Sequence, residues 1–140
     1  MLTSIAALAA CSKVEPITVK VVISVAEEDD RGRREVTETI LETDFAYESS
    51  TPTLNDLLVK LRDAGKINLV TEADGDNVII TGINDLVPKT DETETTMEDY
   101  DWYVYINDGD AEDNSLSSTK AIAANDTVTI TYMHYSIAKE

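Results

Sequence analysis

The stretch Thr53-Leu54-Asn55-Asp56-Leu57-Leu58-Val59-Lys60-Leu61-Arg62-Asp63-Ala64-Gly65 holds the clearest helix signature in the chain. Leu54, Leu57, Leu58 and Leu61 stand at i, i+3, i+4 and i+7, which makes one apolar stripe. Thr53 can cap the N-terminus, Asp56 sits three residues on as in a capping box, and Gly65 supplies a stop. A helix this short needs its stripe packed on a sheet to be stable. The flanking segments supply one. In residues 17–25, Ile17, Val19, Val21, Ile23 and Val25 face one way while Thr18, Lys20 and Ser24 face the other, a strong strand signal. Residues 36–41 predict a second strand, rich in Thr and Glu. Such a strand suits a sheet edge, where charge discourages pairing between molecules. The charged residues 27–34 between them read as a hairpin loop with internal charge compensation.

Four more strands follow the helix in this reading: a short one at 67–71, then 77–83, 102–106 and 127–135. Gly82 interrupts the second of them and suggests a bulge. Residues 88–101 hold six acids and no base after Lys89, and read as a long acidic loop. Strand, strand, helix and then strands, with one helix in all, predicts an α+β fold.

Composition sets the limits on function. The 140 residues suffice for one ordinary domain. Acidic residues number 28 against 11 basic ones, a formal net charge of −17. That argues against nucleic acid as a partner, since a phosphate-binding surface needs clustered Lys and Arg. It also disfavours docking on anionic lipid through a basic patch. Hydrophobic content of 42% is enough for a core despite the charge. A single Cys leaves no intrachain disulfide framework, and a single His leaves no His-rich metal site.

That Cys ends an apolar start. Leu8-Ala9-Ala10-Cys11 resembles the lipobox of bacterial lipoproteins, with small residues before the thiol that receives the lipid. The resemblance implies a remnant signal peptide at 1–10, a lipidated Cys11 opening a tether at 11–16, and a domain at 17–136 on the extracellular face of the bacterial cell membrane. The partner there is the cell envelope membrane, reached through the lipid anchor. The apolar stretch is too short to span a bilayer, which takes about 20 apolar residues. It also lacks the basic n-region of a secretory signal, and a start codon placed too far downstream would account for both features.

Catalytic constellations are hard to build from this chain. His134 is the one imidazole, late in the last predicted strand, and a Ser or Cys nucleophile needs a base and an orienting group beside it. A structural or merely exposed His134 is the expected reading, and no enzyme activity is expected. For a metal, calcium fits best. Asp108, Asp110, Glu112 and Asp113, with Asn107 and Asn114, crowd one loop, and Ca²⁺ takes about six to eight oxygen ligands. Their spacing is not that of an EF-hand, and a polar hairpin loop on an acidic surface explains the same residues. Asp74, Asp76 and Asn77 form a second, weaker cluster. A calcium-stiffened adhesive or structural domain is the reading that this chemistry would support.

Six of the eight aromatics lie between residues 100 and 135. Alternation from 102 to 106 sends Trp102 toward the helix stripe and core, and Tyr103 and Tyr105 to the opposite face. On a sheet with one helix that face can be open to solvent. Two readings of the pair stand. An exposed aromatic pair suits a flat ligand, a glycan ring or a partner strand. Ordinary cross-strand pairing stabilises a sheet with no ligand at all.

Four segments together resemble a known family. They are Thr53-Leu54-Asn55-Asp56-Leu57-Leu58, Val78-Ile79-Ile80-Thr81-Gly82-Ile83-Asn84, Trp102-Tyr103-Val104-Tyr105-Ile106-Asn107, and Ala124-Asn125-Asp126-Thr127-Val128-Thr129-Ile130-Thr131-Tyr132. In order and spacing they are similar to the transcobalamin C-terminal-like domain of bacterial surface proteins. The resemblance covers roughly residues 17–135 and implies a β-grasp fold, a mixed sheet of about five strands packed on one α-helix. Asp108 precedes Gly109 where the family has Gly after the Asn of its Trp strand. The closing turn reads Asn125-Asp126 in place of Gly-Asp, and Asn also tolerates positive φ. The resemblance also implies contact strands for a cobalamin or corrinoid-like ligand, matched here by Ile80, Thr81, Trp102 and Tyr103. A lone sheet face buries too little of such a ligand, so a carrier role would need a partner protein. The leading expectation is a non-catalytic, lipid-anchored binding or scaffold domain, with an unidentified surface protein, glycan or small ligand as its partner.

Overall fold

Leu54, Leu57, Leu58 and Leu61 are all fully buried in the computed structural model of the protein, which describes residues 15–74, 77–107 and 121–139, with backbone alone at 73–74 and 77–80. Their helix, α1, spans Leu54–Asp63. Thr53 is its N-cap, in extended conformation, and its hydroxyl accepts from the Asp56 N–H at 3.2 Å. At the other end Gly65 takes a φ of 74°, so the Lys66 N–H reaches the Leu61 carbonyl and the Gly65 N–H that of Arg62, both at 2.9 Å. This pair of bonds is a Schellman motif, and it satisfies carbonyls that the helix end leaves open.

The stripe packs on a sheet built from β1 (Pro16–Glu28), β2 (Arg34–Glu48), β5 (Lys89–Glu92), β6 (Thr96–Ile106) and β7 (Thr127–Ala138). Their order is β2-β1-β7-β6-β5, with β1 and β7 parallel and the other pairs antiparallel. β3 (Leu69–Asp74) and β4 (Asn77–Ile83) pair with each other as a separate two-stranded sheet. The chain is therefore α+β, a five-stranded mixed sheet with one short helix among the described residues.

One face of the sheet makes the core. Val19, Val21 and Ile23 from β1, Val128 and Ile130 from β7, and Val104 from β6 are fully buried with the four leucines, and Trp102 is 1% exposed. Each such side chain contributes roughly 1.5–3 kcal/mol through burial. Trp102 is thus in the core, as its alternation predicts. The Gly82 bulge is present as well: Val70 opposes Gly82 while Thr71 opposes Ile80, which leaves Thr81 unpaired.

Three expectations need correction. The second strand does not end at 41 but continues to Glu48, because Phe45 and Tyr47 extend its inward face beyond the Thr- and Glu-rich part. Its edge position is as expected. The strand expected at 67–71 is displaced to Leu69–Asp74, and Ile67 instead joins the core ahead of it. Residues 88–101 are not a loop. β5 and the first half of β6 form a hairpin in which Lys89 opposes Tyr100 and Glu92 opposes Met97. Thr93 closes its turn: its N–H donates to the Thr96 carbonyl and its hydroxyl accepts from the Thr96 N–H, both at 2.9 Å. All four residues of β5 are exposed, so charge on this outer strand carries little desolvation cost and does not oppose pairing.

Candidate functional site

The pleat of β6 divides its aromatics. Trp102 and Val104 enter the core, and Tyr103 and Tyr105, both half-buried, stand on the second face. The floor of that face is closed. Ser24 is 2% exposed, Thr131 and Ala26 are fully buried, and Met133 is 4% exposed. Ser24 and Thr131 oppose each other on the parallel β1–β7 pair and share a hydrogen bond between hydroxyls at 3.3 Å. A buried hydroxyl pair satisfies itself in this way without water. The expectation of a sheet face open to solvent therefore holds only for its rim.

Two aromatic contacts frame the floor. Tyr103 meets Tyr135 edge to face, with centroids 5.9 Å apart at 74°. The Arg34 guanidinium carbon lies 4.5 Å from the centroid of Tyr105, a cation–π contact. Register makes the second contact informative. Tyr105 opposes Thr129, Thr129 opposes Val22, and Arg34 opposes Glu28. Six residues of straight strand span about 20 Å, well beyond the reach of an arginine. The β1–β2 ribbon must therefore coil back over the second face. Two register shifts, which leave Thr37 and Ile40 of β2 unpaired, favour that coil.

At the far end of the core face, His134 stacks on Tyr100, with centroids 4.4 Å apart and planes 5° from parallel. Its Nδ1 lies 3.6 Å from a Glu27 oxygen and its Nε2 3.3 Å from a Glu98 oxygen. Lys89 Nζ sits 4.6 Å from the Tyr100 centroid. These contacts tie β1, β7, β6 and β5 together. The imidazole stands between two carboxylates and against a ring, with its side chain 20% exposed.

The residues expected to bind ligand fall in three places. Tyr103 and Tyr105 share the second face. Trp102 lies behind them, and its indole nitrogen donates to the Leu86 carbonyl at 2.8 Å, so it offers no surface to a ligand. Ile80 and Thr81 belong to β4 in the separate small sheet, where the Thr81 hydroxyl donates to the Val70 carbonyl at 3.2 Å. Cys11 and the calcium candidates Asp108, Asp110, Glu112 and Asp113 lie outside the described residues. Among the described residues, no three His, Cys, Asp or Glu side chains are grouped to hold a metal ion. Arg34 was not legible as a site residue, because its contact with Tyr105 depends on the coil of a ribbon and on no local signal.

Burial raises Tyr132 on β7, and two further titrating groups are shifted near these elements. Tyr47, 6% exposed, has no hydrogen-bond partner for its hydroxyl among the described residues, and burial followed by the charge of Asp56 pushes it up to about 12. Asp29, in the β1–β2 turn, is held below the usual carboxylate range by the Arg33 N–H, helped by the Arg31 N–H and the Arg33 guanidinium. No model of a known protein family matches the chain, and neither does any curated protein sequence.

Proposed function

We propose that this chain is a non-catalytic binding or scaffold domain of β-grasp type, held by a lipid on Cys11 at the outer face of a bacterial membrane, and that its second sheet face meets the ligand. The observation that carries the reading is the pairing of Tyr103 with Tyr135 and of Tyr105 with Arg34 around a sealed Ser24–Thr131 floor. Half-buried rings on a rigid sheet suit a flat, partly apolar ligand such as a glycan ring, since little conformational entropy is lost on contact. The β-grasp assignment draws support from the parallel pairing of the first and last strands at the sheet centre, with α1 packed over them. The lipid anchor is supported by the run from Leu8 to Cys11.

Two measurements test it. Metabolic labelling with a clickable fatty acid should mark the wild-type chain and leave a Cys11→Ser variant unmarked; equal labelling of both overturns the anchor. Fluorescently tagged protein should adhere to fixed bacterial cells, and a Tyr103→Ser, Tyr105→Ser variant with an unchanged circular dichroism spectrum should adhere at least fivefold less. Equal adhesion removes the second face as the ligand surface.

A further inference from the structure

β2 is the outermost strand of the main sheet over all fifteen of its residues, and among the described residues β1 alone pairs with it. Alternate residues along it turn their N–H and C=O groups away from β1, which leaves a row of backbone donors and acceptors for another strand. Beside this edge lies a cleft of about 360 Å³, lined by Glu38, Thr39, Ile40, Asn84 and Leu86. Ile40 and Leu86 are half-buried and rest on the core, so they give the cleft an apolar base. Its far wall is a fixed turn. Asn84 and Asp85 hold φ values of 51° and 66°. Asn84 is pinned to Asn68 by two bonds, its N–H to the Asn68 carbonyl at 3.0 Å and its Oδ1 accepting from the Asn68 N–H at 2.8 Å.

Charge selects what such an edge can accept. β2 carries Glu35, Glu38, Glu42, Asp44 and Glu48 against one base, Arg34 at its start. Lys20 lies 3.8 Å from Glu42 on the inner side. These acids repel a second copy of the same strand and attract a cationic one. We infer that the β2 edge takes an extended, lysine- or arginine-bearing segment of a partner protein as an added strand. One apolar side chain of that segment enters the cleft between Ile40 and Leu86, and its basic side chains lie on the other face along Glu42 and Asp44, which oppose Val22 and Lys20. Backbone hydrogen bonds supply affinity, and the cleft and acids supply selectivity. This inference is independent of the second face and of the lipid anchor.

The test uses the intact chain and a nine-residue peptide of alternating Val and Lys. The control peptide has the same sequence with its backbone amides N-methylated, equal in charge and without the N–H donors that a strand needs to pair. Binding of the unmethylated peptide should slow hydrogen exchange of alternate β2 amides between residues 35 and 43 at least tenfold. Glu42→Lys together with Asp44→Lys, both exposed on one face of β2, should weaken binding at least fivefold with an unchanged melting temperature. Equal binding of the control peptide reduces the effect to charge and overturns the proposal. So does protection confined to β5 or to the β3–β4 sheet, or no binding at millimolar peptide. Concentration-dependent protection of β2 without peptide would make a second copy the occupant, and would overturn it as well.

Discussion

The Tyr132 hydroxyl donates to the Val87 carbonyl at 2.6 Å, across 45 residues of sequence. Tyr47 buries its hydroxyl too, but among the described residues nothing pairs with it. The same substitution should therefore act in opposite directions at the two sites. Tyr132→Phe should lower the unfolding free energy by about 1–2 kcal/mol, since it strands a carbonyl that has lost its donor. Tyr47→Phe should be neutral or stabilising by up to about 1 kcal/mol, since it removes an unsatisfied polar atom. Urea unfolding of both variants decides this, and equal losses at the two sites would show that Tyr47 has a partner.

Alkaline pH should expose the same burial. The Tyr47 proton is held more tightly in the folded chain, where burial pushes the hydroxyl up to about 12 from the 10.0 of a free tyrosine. The stabilisation this gives is complete below the unfolded value and disappears as pH rises through the folded one. Between pH 10 and 12 the wild type should lose up to about 2 kcal/mol more than Tyr47→Phe. Burial raises Tyr132 in the same direction, but it is present in both proteins and cancels from the difference. Parallel stability curves for the two proteins would exclude burial of Tyr47 as the cause.

Gly82 should tolerate no side chain. A Cβ there would stand 2.8 Å from Val87 Cγ1 and 2.9 Å from the Leu86 carbonyl oxygen. That oxygen already accepts the Trp102 indole hydrogen, so backbone relief would disturb the bond in the core. Gly82→Ala should cost about 1–3 kcal/mol, as overpacking does. Emission from Trp102, the single tryptophan, should shift to longer wavelength as its surroundings loosen. An unchanged spectrum with unchanged stability would mean that the 86–87 segment moves freely.

Asn125 should accept Gly but not Ala. It holds a φ of 69° in the turn before β7, and its N–H donates to the Thr18 carbonyl at 2.8 Å. Asp126 closes the same turn by accepting from the Asn107 side-chain amide at 2.9 Å and from the Ala123 N–H at 2.8 Å. Left-handed backbone costs a residue with a Cβ about 1–2 kcal/mol, and Asn lessens this through local hydrogen bonding. Thermal unfolding should place Asn125→Gly within about 0.5 kcal/mol of wild type and Asn125→Ala about 1 kcal/mol below it. Equal stability of the two variants would remove the conformational argument.

The helix was legible to within a residue because its stripe, cap and stop lie within thirteen neighbouring positions. Strands β1 and β7 and the 102–106 half of β6 were legible from their own alternation, and β4 from its run of Val78, Ile79, Ile80 and Ile83. The hairpin that pairs 89–92 with 97–100 was not. Its acids mimic a solvated loop, and they are tolerated because β5 is an outer strand whose side chains reach water. The candidate site was half legible. Alternation alone placed Tyr103 and Tyr105 on one face and Trp102 on the other. That Ser24, Thr131 and Met133 close the middle of this face could not be read from any segment by itself.

The sequence by itself determined the period of each element, the apolar stripe of α1, the inward Trp102 and the acid excess. All of these depend on residues a few positions apart or on simple sums. The tertiary structure decided which strands are neighbours, and thereby which groups meet. It paired β1 with β7 in parallel, so that Ser24 and Thr131 share a bond across 107 residues. It coiled the β1–β2 ribbon until Arg34 reached Tyr105, and it left the acidic side of β2 as an edge beside a cleft. The physical reason is that periodicity is a property of a segment, whereas register, coil and coverage arise from contacts between segments far apart in the chain.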